Sequence, residues 1–314
     1  MFKKIIVFTS CFLVFACAED NGKITYVEDL TTLKNTSSGQ VIGFKHINNS
    51  TAWFGIPYAK PPINELRWRA PQPLENSEEI IKATSFSDIC FQNRSFVDYS
   101  EEKENYIGSE DCLYLNVHSP RNLSGNENLP VMVWIHGGGN TTGAGSGYDF
   151  SRLASEQKVI VITINYRLGP FGWFYNSAIN INADNALDAS GNYGTLDIIK
   201  SLEWVNKNIS YFGGDEKNIT IFGESAVARN INSLMISPLS ERLFTKAISQ
   251  SGYLVSDELI TAENDYEVGS NTLLKALATS KNKKLEDQLA KKDFLYSLSV
   301  DEILNFYRRS VDQN

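Results

Sequence analysis

Histidine is scarce in this chain: His46, His118 and His136 are its only three, and none follows residue 136 in a sequence of 314. No cluster of histidine and cysteine at metal-ligand spacing appears, and neither a metal nor a cofactor is expected. Basic charge is also short, with 29 Lys and Arg against 37 Asp and Glu, a formal net charge of −8 and a pI near 5.1. No Lys/Arg cluster is interleaved with aromatics, so the footprint of a nucleic-acid binder is missing and small molecules are the expected partners. Long hydrophobic runs are absent too. The one apolar stretch, Ile5 to Ala16, is too short to span a bilayer comfortably. Apolar residues at 42% and charged residues at 21% are ordinary for a folded domain.

That apolar stretch follows Met1-Phe2-Lys3-Lys4 and reads, over residues 1–18, as a positively charged n-region and a short h-region of an export signal. Two cleavage readings stay open. Val14-Phe15-Ala16-Cys17 resembles a bacterial lipobox that leaves Cys17 lipid-anchored, whereas Ala16-Cys17-Ala18 fits an ordinary signal peptidase. Either way the protein is expected outside the cytosol, as a secreted, periplasmic or envelope-anchored species. Of four cysteines, Cys11 and Cys17 then belong to the signal, and Cys90 and Cys112 remain. Two cysteines in an oxidising compartment suggest one disulfide.

Residues 19–40 are polar and read as a tether with a first hairpin, and a single domain is expected from Val41 to Asn314. Four β-branched runs, Val131–His136, Val159–Asn165, Ile219–Phe222 and Ala247–Ser251, look like strands of a covered sheet. Leu196, Ile199, Leu202, Val205 and Ile209 recur at helical spacing between the second and third. Strand alternating with helix makes the fold class α/β. Around 270–292 and 300–309 the pattern turns amphipathic and predicts surface helices.

Chemistry concentrates at two places. The apolar run at Ile219 to Phe222 leads into Gly223-Glu224-Ser225-Ala226 and then a helix-compatible segment. A sharp strand-to-helix turn exposes a serine hydroxyl and aims the next residue's N–H at a reacting oxygen, which is the nucleophile elbow. Val227 stands where the elbow pattern has a second glycine, and predicts overpacking of about 1–3 kcal/mol or a shifted serine. Some ninety residues earlier, Val131-Met-Val-Trp-Ile-His-Gly-Gly-Gly139 delivers three glycines to a strand end, where successive N–H groups can converge on an oxyanion.

Further blocks run in order along the chain: Phe54-Gly-Ile-Pro-Tyr-Ala-Lys-Pro-Pro62, Leu66-Arg-Trp-Arg-Ala-Pro71, Ser109-Glu-Asp-Cys-Leu-Tyr-Leu-Asn-Val117, Asn165-Tyr-Arg-Leu-Gly169, Gly191-Asn-Tyr-Gly-Thr-Leu-Asp197 and Leu243-Phe-Thr-Lys-Ala-Ile-Ser-Gln-Ser-Gly252. With these the sequence resembles the type-B carboxylesterases, the family of the cholinesterases. The resemblance implies an α/β-hydrolase fold, with a mostly parallel central sheet flanked by helices, and hydrolysis of a small-molecule carboxylic ester. It implies Ser225 as nucleophile, with an oxyanion hole of Gly138, Gly139 and Ala226. It also implies a Cys90–Cys112 disulfide and structural ion pairs Arg67–Glu110 and Arg167–Asp197. Asn140 replaces the aromatic that cholinesterases carry after the glycines, so choline specificity is not implied. In this family the acid and the histidine follow the nucleophile, so both are expected beyond Asn314, on a domain truncated here. The alternative is a catalytically silent, cholinesterase-like binding module.

Overall fold

The computed structural model describes residues 24–94, 106–124, 127–253 and 256–311. The segment 1–18 expected to be an export signal, with Cys11 and Cys17, lies outside them. Among the described residues the central sheet has seven strands: β1 Phe44–His46, β2 Ser50–Pro57, β3 Tyr114–Pro120, β4 Leu129–Ile135, β5 Ile160–Ile164, β6 Gly214–Glu224 and β7 Lys246–Gln250, in the spatial order β7-β6-β4-β5-β3-β2-β1. Pairings among β7, β6, β4 and β5 are parallel, and those from β5 through β3 and β2 to β1 are antiparallel. The sheet is therefore mixed. Every residue of β5 is buried, as expected of a strand covered on both faces.

The helices α1 Ser151–Gln157, α2 Tyr193–Asn208 and α3 Ala226–Ile236 flank this sheet. Leu202 and Val205 of α2 and Ile231 and Leu234 of α3 join Val131, Val133, Ile162, Ile219 and Ile221 in the main core. Ahead of β1, a hairpin pairs Lys34–Thr36 with Gly39–Ile42, and the Tyr26 ring stacks on Phe44 at 4.1 Å.

Three later helices, α4 Ser270–Ser280, α5 Gln288–Ser297 and α6 Val300–Val311, turn their apolar sides inward. Leu273, Leu274, Leu295, Ile303 and Leu304 close over Trp68, Phe171, Phe174 and Tyr193 to make a second core. Its centre is Trp68, 1% exposed, stacked on Phe174 at 4.5 Å with its indole N–H donated to the Pro170 carbonyl. No helix among the described residues is long and apolar enough to cross a membrane.

Cys90 and Cys112 form a disulfide that spans 22 positions. Closing a loop of that length removes unfolded-state entropy worth about 3 kcal/mol. Replacing both cysteines with serine is expected to lower the unfolding free energy by about that amount, measured by urea denaturation in the absence of reductant. An unchanged midpoint and slope would show that the bridge constrains nothing.

Candidate active site

Strands β4 and β6 run parallel, with Phe222 opposite Trp134, so both deliver their following loops to the same carboxyl edge of the sheet. That edge is where open α/β sheets place their ligands. From β4 come His136 and the three glycines; from β6 comes Ser225. The two loops touch, because a Cβ at Gly137 would sit 2.8 Å from the Glu224 carbonyl oxygen.

Ser225 is held at φ 67° and ψ −131° at the head of α3. A side chain there costs on the order of 1–3 kcal/mol and persists only when its surroundings enforce it. Its N–H donates to the Gln250 carbonyl at 2.9 Å and its carbonyl accepts from the Ala228 N–H at 2.9 Å, so neighbours on β7 and α3 fix the turn. The residue is exposed, and its side chain makes no cap hydrogen bond to α3. The turn therefore presents the hydroxyl to solvent without spending it as a helix cap.

Val227 is fully buried, and it is the glycine before the serine that makes room for it. A Cβ at Gly223 would stand 2.4 Å from Val227 Cγ1 and 2.7 Å from the Ile135 carbonyl oxygen. The side chain that overpacking arguments disfavour occupies space that Gly223 leaves open.

In the glycine loop, Gly138 and Gly139 have φ of 109° and 69°, and a Cβ at Gly138 would meet the Thr142 carbonyl oxygen at 2.3 Å. The Gly138 carbonyl accepts the N–H groups of Thr141 at 3.1 Å and Thr142 at 2.9 Å. A trans peptide points its N–H opposite its carbonyl, so the Gly139 N–H faces away from the turn that this carbonyl closes. By the same geometry, the Ser225 carbonyl that caps Ala228 sends the Ala226 N–H out of the amino end of α3, where the helix dipole is positive. Among the described residues no acceptor takes the N–H of Gly138, Gly139 or Ala226.

Two amide side chains that sequence reading does not single out, Asn230 and Gln92, clasp this loop. Asn140 and Asn230 exchange reciprocal amide bonds at 3.2 and 2.9 Å, tying the glycine loop to α3. On the other side Gln92 donates to the Gly143 carbonyl at 2.9 Å and accepts its N–H at 2.7 Å. Gln92 lies two residues after disulfide-bonded Cys90, so the bridge anchors one clasp. The Asn140 side chain is committed to Asn230. In the sequence, an isolated Asn or Gln carries no sign of such a partner.

His136 is 1% exposed, stacks on Tyr166 at 4.5 Å and places Nδ1 3.0 Å from the Gly137 carbonyl oxygen. Burial pushes its pKa down to about 4. A Cβ at Gly143 would stand 2.4 Å from Nδ1, so the ring is walled in and props the loop. His46 and His118 lie together at the other end of the sheet, next to Asp149.

Both anticipated charge pairs meet. Arg67 Nε is 2.6 Å from Glu110 Oε1, and Arg167 Nε and Nη2 are 2.8 and 2.7 Å from the Asp197 carboxylate. The second pair is buried and the first is partly exposed. Arg67 also donates to the Leu298 carbonyl, joining the second core to the body of the molecule.

A family model described as "Carboxylesterase family" matches residues 31–314. The chain is 47% identical over 219 residues to the para-nitrobenzyl esterase of Bacillus subtilis (strain 168), covering 69% of this chain and 43% of that protein. It is 41% identical over 243 residues to carboxylesterase 1D of Rattus norvegicus, covering 73% of this chain and 41% of that one. Among solved structures, a "thermophylic PNB esterase" superposes with a TM-score of 0.74 at 37% identity, over 90% of this chain and 55% of that chain. The chain thus spans about half the length of the proteins it matches.

Proposed function

This chain belongs to the carboxylesterase family, and from that premise we propose that it carries the acyl-transfer half of a serine carboxylic ester hydrolase. Ser225 Oγ attacks the ester carbonyl carbon. The oxygen that becomes negative is met by the N–H groups of Gly138, Gly139 and Ala226, fixed donors that need no reorganisation as charge develops. The alcohol leaves, and water then releases the acyl group from Ser225. The serine proton needs an imidazole acceptor, and the family resemblance assigns that histidine and its acidic partner to positions after Asn314. The observation that carries the reading is the backbone of Ser225: a non-glycine residue held at positive φ, hydroxyl exposed, at the junction of β6 and α3. Such strain has a use when the hydroxyl must stand clear of the helix it precedes.

The substrate is a small-molecule carboxylic ester. The lysine-led apolar segment at residues 1–18 and the Cys90–Cys112 bridge both suit an exported protein. The test is active-site labelling: protein expressed from its native gene is treated with a phosphonofluoridate ester and digested. The phosphonyl group is expected on the peptide containing Ser225. Stoichiometric labelling of another residue, or none at all, would sink the assignment.

A further inference from the structure

Far along the sheet from Ser225, three side chains separated in sequence converge. His46 ends β1, His118 lies on β3 and Asp149 precedes α1. One ligand-type atom from each lies within 4.8 Å of the others, and His118 Nδ1 is 3.9 Å from Asp149 Oδ1. We propose that His46, His118 and Asp149 bind one divalent transition metal ion of the zinc class, with solvent completing the coordination.

The register of the strands builds this cluster. Phe44 pairs with Ala52 and Ala52 pairs with His118 across β1, β2 and β3. Alternate residues of a strand share a face, so Phe44, His46, Ala52, Phe54 and His118 all project to one side. Ala52 sits between the two histidine strands, and its methyl leaves room for both rings, whose centroids are 6.1 Å apart.

The polar accounting is what points to a ligand. His118 is completely buried, yet among the described residues both of its ring nitrogens, and Nδ1 of His46, have no hydrogen-bond partner. A buried imidazole left without partners on both sides is costly, and such groups are nearly always satisfied in native proteins. The rings of Tyr26, Phe44, Phe54 and Phe150 surround the pair, and among the described residues none of them is hydrogen-bonded to these nitrogens. A metal ion supplies a partner to a neutral imidazole. Zinc takes histidine nitrogen at about 2.0–2.1 Å and carboxylate oxygen at about 2.0–2.2 Å, which sets tetrahedral neighbours roughly 3.4 Å apart. Closing from separations of up to 4.8 Å to that spacing takes a movement of the Asp149 side chain, which is half exposed, together with small shifts of the two rings.

Bonds that brace Asp149 and the hairpin of His46 are already in place. Asp149 Oδ1 accepts the Ser151 N–H at 2.8 Å, and the Ser151 hydroxyl accepts from Asn48 at 2.8 Å, so the loop of one ligand is tied to the hairpin of another. Arg121 donates to the His46 and Ser50 carbonyls and holds that hairpin from behind. Partners of this kind orient ligating side chains.

The test is isothermal titration of the chelator-treated protein, expressed from its native gene, with zinc chloride. Cobalt chloride is the spectroscopic probe. One zinc per chain is expected, with cobalt giving the intense visible bands of a low-symmetry site and zinc raising the melting temperature. Asp149→Asn and His46→Gln are each expected to weaken binding by about tenfold or more and to remove the melting shift, while Ser225→Ala binds like the parent. Asp149 is exposed enough that its variant keeps the fold, which circular dichroism would verify. No bound zinc, or zinc binding that survives both ligand substitutions, overturns the proposal.

Discussion

Replacing Ser225 with alanine is expected to lower kcat for p-nitrophenyl acetate by on the order of 10⁶-fold in the protein expressed from its native gene, and to change nothing in the 314-residue chain assayed alone. The two halves of this expectation rest on one fact about bases. A serine hydroxyl attacks at neutral pH only when an imidazole takes its proton. All three histidines of this chain are among the described residues, and none is free for that task. His136 is enclosed beneath the glycine loop, with Nδ1 against the Gly137 carbonyl. His46 and His118 face Asp149 across the antiparallel end of the sheet. The oxyanion donors alone leave a residual of about 10³–10⁴ over the reaction in water, and the serine adds nothing to that without its base. Initial rates of both proteins, each with and without the substitution, give the comparison. Rapid hydrolysis by the 314-residue chain, abolished by Ser225→Ala, would show that an imidazole on these residues reaches the serine after all.

How far the sequence leads is decided by whether a feature is local. The elbow and the glycine loop are each built from consecutive residues, so Gly223 to Ala226 and His136 to Gly139 can be read directly and the structure sets them at one edge. Strands β4 to β7 and helix α2 are legible for the same reason, since burial on both faces or on one stripe leaves its period in the chain. The antiparallel strands β1 and β2 carry less of that signal. β1 has only three residues and lies at an edge, and in β2 Gly55 and Pro57 interrupt the alternation.

Features made by register or by distant packing leave no local trace. Ala52 gains its importance only because it lies between His118 and Phe44 at the start of β1. Asn230 looks like an ordinary helix residue until Asn140, ninety positions earlier, faces it. The amphipathic period near 270–309 shows that an apolar stripe exists, but not that Trp68 and Phe174 are what it covers. Val227 reverses the usual direction of inference. Its volume argues against the elbow when read alone, and becomes compatible once the missing side chain of Gly223 is set beside it.

Asp197→Ala is expected to cost about 3–5 kcal/mol of stability, a large share of the 5–15 kcal/mol that holds a typical domain together. The Asp197 carboxylate accepts three bonds, from the Arg167 N–H at 3.1 Å, Nε at 2.8 Å and Nη2 at 2.7 Å, and Arg167 packs over the Tyr193 ring at 5.3 Å. Removing the acid leaves a guanidinium buried at 3% exposure with no counter-charge. The penalty is that uncompensated charge, not the worth of the pair, so Arg167→Met combined with Asp197→Leu is expected to recover most of the loss. Urea denaturation of the two single variants and the double variant gives the coupling energy. Additive losses would mean that the pair is incidental to the packing. The pair also reaches the site through the backbone: two residues after Arg167, the Gly169 N–H donates to the Asn140 carbonyl at 2.7 Å, at the end of the glycine loop. Loosening this segment should therefore lower kcat while leaving Ser225 reactive to a phosphonylating label, and the double variant should restore both stability and turnover together.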